Sequence, residues 1–306
     1  MRYFEKSITE HEAGDMVKSL LTPLHIGRKL RRLLVEQRLI RINGQPVYLS
    51  NRVKAGDVLT IDAPVEMKSS TVPQNLPLMV RFEDEHILVV DKPAGMVAHA
   101  TSKYESGTLT AAIANHMVNR QEAYVIRLVH RLDRQTSGLL LVAKHKLAHE
   151  RLVRSLKLRE VNRNYIAFVH GLVLQDALII DEPIDTIKGQ IKRVVGPAGK
   201  EAKTLVWVKK TYATAGASKV WVSLLTGRTH QIRVHLAHAG YPLIGDTLYS
   251  ATGQAWSTQG RQALHAAELR FSHPITHENL LIQSPLPDDL LDLEAQLLNG
   301  QIPGNE

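Results

Sequence analysis

Apolar positions change their spacing several times along the chain, and each change predicts an element. Between Gly27 and Glu36, Leu30, Leu33 and Leu34 fall on one helical face while Arg28, Arg31 and Arg32 take the other sides. That pattern predicts a short helix that buries leucines and displays arginines. Leu39–Val47 places two short apolar stretches around Asn43-Gly44, a strong hairpin signal because both residues accept positive φ. Val53–Ile61 adds a turn at Gly56-Asp57 and an alternating strand. From Asp62 to Pro77 the periodicity stops, with Pro64, Pro73, Pro77 and the run Ser69-Ser70-Thr71. The expectation is a module over 1–62, a linker over 63–78 and a larger domain over 79–306.

In the larger domain, Ile87–Asp91 reads as a strand that stops at Lys92-Pro93-Ala94-Gly95, and Thr108–Met117 as a helix. A strand leading into Arg127-Leu128 follows, then Gly138–Ala143 as a buried strand and Lys146–Lys157 as a helix with Leu147, Leu152 and Leu156 on one side. Tyr165–Val169, Thr204–Val208, Val220–Leu225 and Leu280–Gln283 read as further strands, and the polar run Thr226–His235 falls in a β context. Strands outnumber helices without regular alternation, so the expected class is α+β: a large mixed, mainly antiparallel sheet with flanking helices, preceded by a small α+β module.

Composition narrows the setting. A 306-residue chain with 22% charged and 44% hydrophobic residues is neither disordered nor membranous. Its longest apolar runs, Leu139–Ala143 among them, are far below the roughly 18 residues a membrane helix needs. The start, Met1-Arg2-Tyr3-Phe4-Glu5-Lys6, lacks the apolar stretch of a signal peptide, so a cytoplasmic location is expected. Zero Cys excludes disulfides, thiolate metal sites and cysteine nucleophiles. The net charge of +8 favours an anionic partner. Half of that surplus lies between Glu12 and Asp62, where nine basic residues face five acidic ones.

Several common chemistries fail on spacing. Gly196-Pro197-Ala198-Gly199-Lys200-Glu201 lacks both the earlier Gly and the following Ser or Thr of a phosphate loop, and no G-x-G-x-x-G follows a strand. His230, His235 and His238 have no carboxylate or thiolate at ligand spacing, so no metal is assigned. What stands out is His130-Arg131-Leu132-Asp133-Arg134-Gln135-Thr136-Ser137-Gly138, an acidic residue between two arginines, and, far downstream, Gly227-Arg228-Thr229-His230-Gln231-Ile232-Arg233. Charged residues set in apolar surroundings must pair when buried, and a long-range Asp133–Arg233 pair would satisfy both.

Two resemblances follow from these residues. The order of basic helix, Asn-Gly hairpin and Gly56-Asp57 turn resembles the small αL RNA-binding module named for small-subunit ribosomal protein S-four, which implies Arg28, Arg31 and Arg32 as phosphate contacts. Arg127–Ala143 resembles the catalytic motif of the RluA-type RNA pseudouridine synthases, His-Arg-Leu-Asp, two variable residues, then Thr-Ser-Gly, with every fixed position present. The likeness extends through Val89–Gly95, Val161–Tyr165, Gly199–Thr204, Gly227–His235 and Leu264-His265-Ala266, with one departure at Ala100, where the family often has Pro.

The resemblance implies isomerisation of uridine in RNA to pseudouridine: the bond from sugar to base nitrogen breaks, the base turns, and a bond to carbon replaces it. No cofactor or metal is called for. Asp133 would be the essential carboxylate, as nucleophile at the sugar or as base for a sugar proton. Arg233 would hold it ionised and oriented. Tyr165 would stack on the target base and serve in proton transfer. The uridine must be flipped out of folded RNA, and Arg131 would either fill the vacated stack or face a phosphate. The expected partner is RNA, ribosomal before transfer RNA, bound by a monomer and without a membrane. The competing expectation is a non-catalytic RNA-binding or ribosome-assembly factor on the same fold. A nucleoside hydrolase would bring a second carboxylate or a cluster of aspartates near Asp133, and the sequence has neither there.

Overall fold

The computed structural model describes residues 2–65, 71–100, 104–121, 125–250 and 260–300. Its first sixty residues form a sheet of their own. The elements in chain order are β1 (Arg2–Ser7), α1 (Val17–Leu21), α2 (Arg28–Glu36), β2 (Ile40–Ile42), β3 (Gln45–Pro46) and β4 (Val58–Asp62), with the antiparallel strand order β1-β4-β2-β3. The β2–β3 hairpin turns at Asn43 and Gly44, whose φ values of 49° and 80° are those of the mirror-image turn that matches strand twist. Asn43 also locks the neighbouring turn, donating to Asp57 Oδ1 at 2.9 Å and accepting from the Val58 N–H at 2.8 Å. α2 has the expected faces in the main: Leu30 and Leu34 are fully buried against Ile40, Leu59 and Ile61 and Arg28 and Arg32 are exposed, while Leu33 and Arg31 are half-buried at the boundary.

The rest of the chain supplies β5 (Met79–Glu83), β6 (Ile87–Lys92), α3 (Leu109–Asn119), β7 (Arg127–Leu128), β8 (Ser137–Ala143), α4 (Lys146–Lys157), β9 (Asn162–His170), β10 (Ala177–Asp181), β11 (Ile184–Thr186) and β12 (Arg193–Val195). After these come β13 (Lys203–Tyr212), β14 (Ala217–Leu224), α5 (Gln231–His238), β15 (Leu264–Ser272), β16 (Asn279–Gln283) and α6 (Asp288–Asn299). Ten of the strands form one sheet of order β10-β13-β14-β9-β15-β8-β6-β5, with β16 beside β15 and β7 beside β8. Its pairings are antiparallel except β8 with β15. This is the α+β class with a mixed, mainly antiparallel sheet that the strand-rich pattern predicts. Leu109, Ile113 and Met117 of α3 pack on one part of the sheet, and Leu290, Leu293 and Leu297 of α6 pack on Phe168 and Tyr212 elsewhere. Among the described residues no helix is long and apolar enough to cross a membrane.

The expected linker lies partly outside the described residues, at 66–70. Its later part is tied to the large domain, since Gln74 donates its N–H to the Ala111 carbonyl and accepts from the Gly107 N–H at 2.7 Å. The polar run expected in β structure is instead the helix α5. Ile232, Val234 and Leu236 alternate as in a strand, and Gln231–Leu236 are all buried, so the first six of the helix's eight residues give no wet face to produce a 3.6-residue signature. Gln231 fixes its start: the amide oxygen accepts from the Arg228 N–H and Thr226 Oγ1, and the amide nitrogen donates to the Lys203 carbonyl and Thr204 Oγ1. Four satisfied hydrogen bonds offset the cost of burying that side chain.

Candidate active site

Asp133 stands on the loop that precedes β8, and the loop is held from several sides. The Asp133 carbonyl accepts from the Thr136 N–H at 3.1 Å, closing a tight turn. Next to it, the Arg134 carbonyl accepts from the Gly95 N–H at 2.9 Å and from Lys92 Nζ at 3.0 Å. Lys92, fully buried at the end of β6, also donates to the Pro93 and Met96 carbonyls. Burial pushes the Lys92 ammonium down to about 7, and the nearby Asp133 carboxylate pulls the other way. Three carbonyls around three N–H donors thus knit the 93–96 loop to the loop of Asp133.

The closing Thr136-Ser137-Gly138 has a structural reason. Thr136 accepts from Gln262, and Ser137 Oγ lies 2.9 Å from His265 Nδ1, so both hydroxyls fasten β8 to the start of β15. Gly138 has φ +107°, and a Cβ there would stand 2.3 Å from the Ala266 carbonyl oxygen. The two parallel strands meet where no side chain fits.

The long-range pair expected from the sequence is present. Arg233 Nη1 donates to Asp133 Oδ2 at 3.2 Å, across 100 residues of chain. The sequence reading missed its other half. Asp246, whose side chain is fully buried, takes Arg233 Nε at 2.7 Å and Nη2 at 2.8 Å as a bidentate pair. Asp246 Oδ1 also accepts from the N–H groups of Leu248 and Tyr249. Burial alone would lower the Arg233 guanidinium, but Asp246 first and Asp133 second hold it above its ordinary value. The one signal in the sequence is an acidic residue within the apolar turn Leu243-Ile244-Gly245-Asp246.

Tyr165 lies on β9, 4% exposed and packed in the same cluster as Leu132. Burial pushes its phenol up; Arg163 opposes this and Asp133 adds to it. Arg163, also buried, donates to the Leu224 and Thr226 carbonyls and so fixes the end of β14 beside the cleft. Arg131 is exposed on the Asp133 loop. Asp133, Tyr165, Arg233 and Arg131 all line one open cleft of about 1370 Å³, whose rim adds Arg134, Lys157, Arg159 and Arg228. That volume exceeds what a single small molecule requires, and its charge suits a polyanion. Arg28, Arg31 and Arg32 are not in it; they lie on α2 of the first module.

His230 also lines this cleft. It caps α5 in the left-handed region, φ 59°, with Nδ1 3.0 Å from the Tyr249 hydroxyl and Nε2 3.9 Å from Asp133 Oδ2. His235 uses both ring nitrogens inside the fold, on Thr204 Oγ1 and the Glu182 carbonyl.

Comparison with known proteins identifies the family. The profile of the family described as RNA pseudouridylate synthase matches residues 86–238, which contain Asp133, Tyr165 and Arg233. A Bacillus subtilis protein named uncharacterized RNA pseudouridine synthase YjbO is 40% identical over 267 residues, covering 86% of this chain and 90% of its own. Ribosomal large subunit pseudouridine synthase D of Pseudomonas aeruginosa is 36% identical over 295 residues, covering 92% and 91%. Among solved structures, human RNA pseudouridylate synthase domain containing 1 superposes with a TM-score of 0.55 at 27% identity, over 79% of this chain and all of that one. The chain belongs to the RNA pseudouridylate synthase family, and is thereby an isomerase that converts uridine in RNA to pseudouridine.

Proposed function

We propose that this enzyme modifies ribosomal RNA in the cytoplasm, as a monomer, and that Asp133 performs the chemistry. Its carboxylate acts on the sugar of the target uridine, as nucleophile at the anomeric carbon or as base for a sugar proton, while the base detaches from nitrogen and rejoins through carbon. Arg233 keeps that carboxylate ionised and aimed. Tyr165 stacks on the displaced base, and Arg131 contacts the RNA where the base has left. Flipping the base costs a few kcal/mol, which contacts along the basic rim offset. Residues 1–62 serve as the RNA-binding module, with Arg28, Arg31 and Arg32 on phosphates, and 79–306 as the catalytic domain beyond a 63–78 linker.

The observation that carries this reading is the Asp133–Arg233 contact in a cleft that also holds Tyr165. Ribosomal RNA is favoured because relatives that match almost the whole chain are named for the large ribosomal subunit. The test is to replace Asp133 by Asn and by Ala and to measure uridine isomerisation on ribosomal RNA. Loss of a residue that forms or breaks bonds should lower kcat by at least about 10³-fold. Activity retained by both variants would remove Asp133 from the mechanism. A reverse-transcription map of pseudouridine in cells lacking the protein tests the substrate: missing sites in transfer RNA alone would overturn the ribosomal assignment.

A further inference from the structure

Around Asp133 the hydrogen bonds can be followed proton by proton. The Tyr249 hydroxyl accepts from the Arg193 backbone N–H at 2.8 Å. A phenol has one proton and two lone pairs; with one lone pair taken by the Arg193 N–H, the neighbour among the described residues that can receive the proton is His230 Nδ1 at 3.0 Å. In that arrangement His230 Nδ1 is a bare acceptor, which puts the proton of the neutral ring on Nε2. That nitrogen faces Asp133 Oδ2. Arg233 Nη1 addresses the same oxygen. Both donors therefore converge on Oδ2, and among the described residues no hydrogen bond reaches Oδ1.

We propose that His230 is a positioning residue, set as its Nε2–H tautomer by Tyr249, that anchors Asp133 Oδ2 together with Arg233 and so presents Oδ1 to the sugar. The proposal rests on the reading of Asp133 given above. The 3.9 Å separation is longer than a hydrogen bond and closes with a movement of about 1 Å, the kind of tightening that occurs when substrate binds. The surroundings keep the ring from drifting. Its backbone is in the left-handed region, which a non-glycine residue adopts at a cost and retains where the structure over-determines it. The Tyr249 ring stands at 84° to the imidazole and lies 5.0 Å from the Arg233 guanidinium, so one aromatic side chain braces both donors. The charged groups that act on His230 are Asp133 and Asp246, which favour its protonated form, and Arg233 and Arg193, which oppose it; burial is the largest influence and holds the ring below the ordinary histidine range, which favours the neutral form.

Two substitutions separate this role from a structural one. His230→Gln puts an amide N–H near the place of Nε2 but loses the acceptor for Tyr249. His230→Asn keeps an acceptor near the place of Nδ1 and suits left-handed backbone best, yet cannot reach Asp133. The expected result at saturating RNA is a kcat lower by roughly 10–100-fold in His230→Asn and in Tyr249→Phe, the range for residues that orient a reacting group, with KM little changed. His230→Gln should recover most of that loss. Asn outperforming Gln would show that the turn matters and the Nε2–H does not, and would overturn the proposal. A second measurement does not depend on turnover: ¹⁵N shifts of the full-length protein should report His230 protonated at Nε2 in the wild type, with that preference lost in Tyr249→Phe. A wild-type ring protonated at Nδ1 overturns the proposal even if every variant is inactive. Failure of the Asp133 reading would show separately, as activity retained by Asp133→Asn.

Discussion

Arg233 has five N–H donors and two carboxylates to serve, and the division between them is unequal. Asp246 takes two close, parallel hydrogen bonds in a fully buried setting, whereas Asp133 takes one longer bond at a carboxylate open to the cleft. The guanidinium is thus fixed by the inner acid and offered to the outer one, an arrangement that a lysine could not reproduce because its ammonium has no planar fork. Removing Asp246 should therefore damage the site through Arg233. Asp246→Ala leaves a buried cation with its inner partner gone, and the expected loss of stability is about 3–5 kcal/mol, read as a lower urea midpoint. Asp246→Asn keeps the shape and the acceptor at Oδ1 but turns a donor toward Arg233 Nε and removes the charge, so it should cost less stability than Ala while losing kcat by roughly 10–100-fold at nearly constant KM. An Asp246→Asn protein with wild-type turnover would mean that Arg233 needs no inner support.

At the scale of elements, the sequence is informative wherever one face is wet. α4 runs over Lys146–Lys157, the range its leucine spacing predicts, and α3 begins after Thr108, whose hydroxyl accepts from the Ala111 N–H as a helix cap. α5 was illegible for the opposite reason: its first six residues are all buried, and its three apolar residues at alternate positions imitate a strand. The pairing of Asp133 with Arg233 was nonetheless readable, because a requirement that buried charges find partners does not depend on which element carries them. Asp246 escaped because that requirement appears satisfied once a single partner is found. β15 and α6 went unread, although Leu290, Leu293 and Leu297 have helical spacing. Gly138 was legible as part of a motif, but its reason is tertiary, since the crowding atoms belong to Ala266, far along the chain. A methyl group there requires β8 and β15 to separate and leaves a non-glycine residue at φ +107°, so Gly138→Ala should cost about 3 kcal/mol or more. The check is thermal unfolding: a Tm within a degree or two of wild type would mean that the two strands part without penalty.

The molecule as a whole is joined through α4. Its first turns belong to the module: Leu147 is part of the core built by Leu30, Leu34, Leu59 and Ile61, and the His145 ring lies 4.8 Å from that of Tyr3. Glu150 accepts from the Gly27 N–H at 2.8 Å, at the start of α2, where a carboxylate is favoured by the helix dipole. Arg151 donates to the Leu24 carbonyl. The other end of the same helix, Leu156 and Lys157, lines the cleft. Twelve residues of helix span about 18 Å, so the arginines of α2 are held at a fixed offset from Asp133. This docking makes deletion of the module a poor test of its role, because the truncated protein would expose Leu147 and strand Glu150. Side-chain substitution is cleaner. Arg28 and Arg32 are exposed, Arg31 makes one long contact to the Ile26 carbonyl, and Arg32 pairs with Glu36 on the surface, so replacing all three by Ala should leave the fold intact. If each arginine neutralises one phosphate of a single-stranded segment, the triple variant should bind RNA more weakly. The slope of log affinity against log salt should then become shallower by about 2. Turnover at saturating RNA should be preserved, since the cleft is untouched. Equal affinity and an unchanged salt slope would take the module's arginines out of RNA binding and leave the cleft rim, with Arg134, Lys157, Arg159 and Arg228, to supply the electrostatic attraction alone.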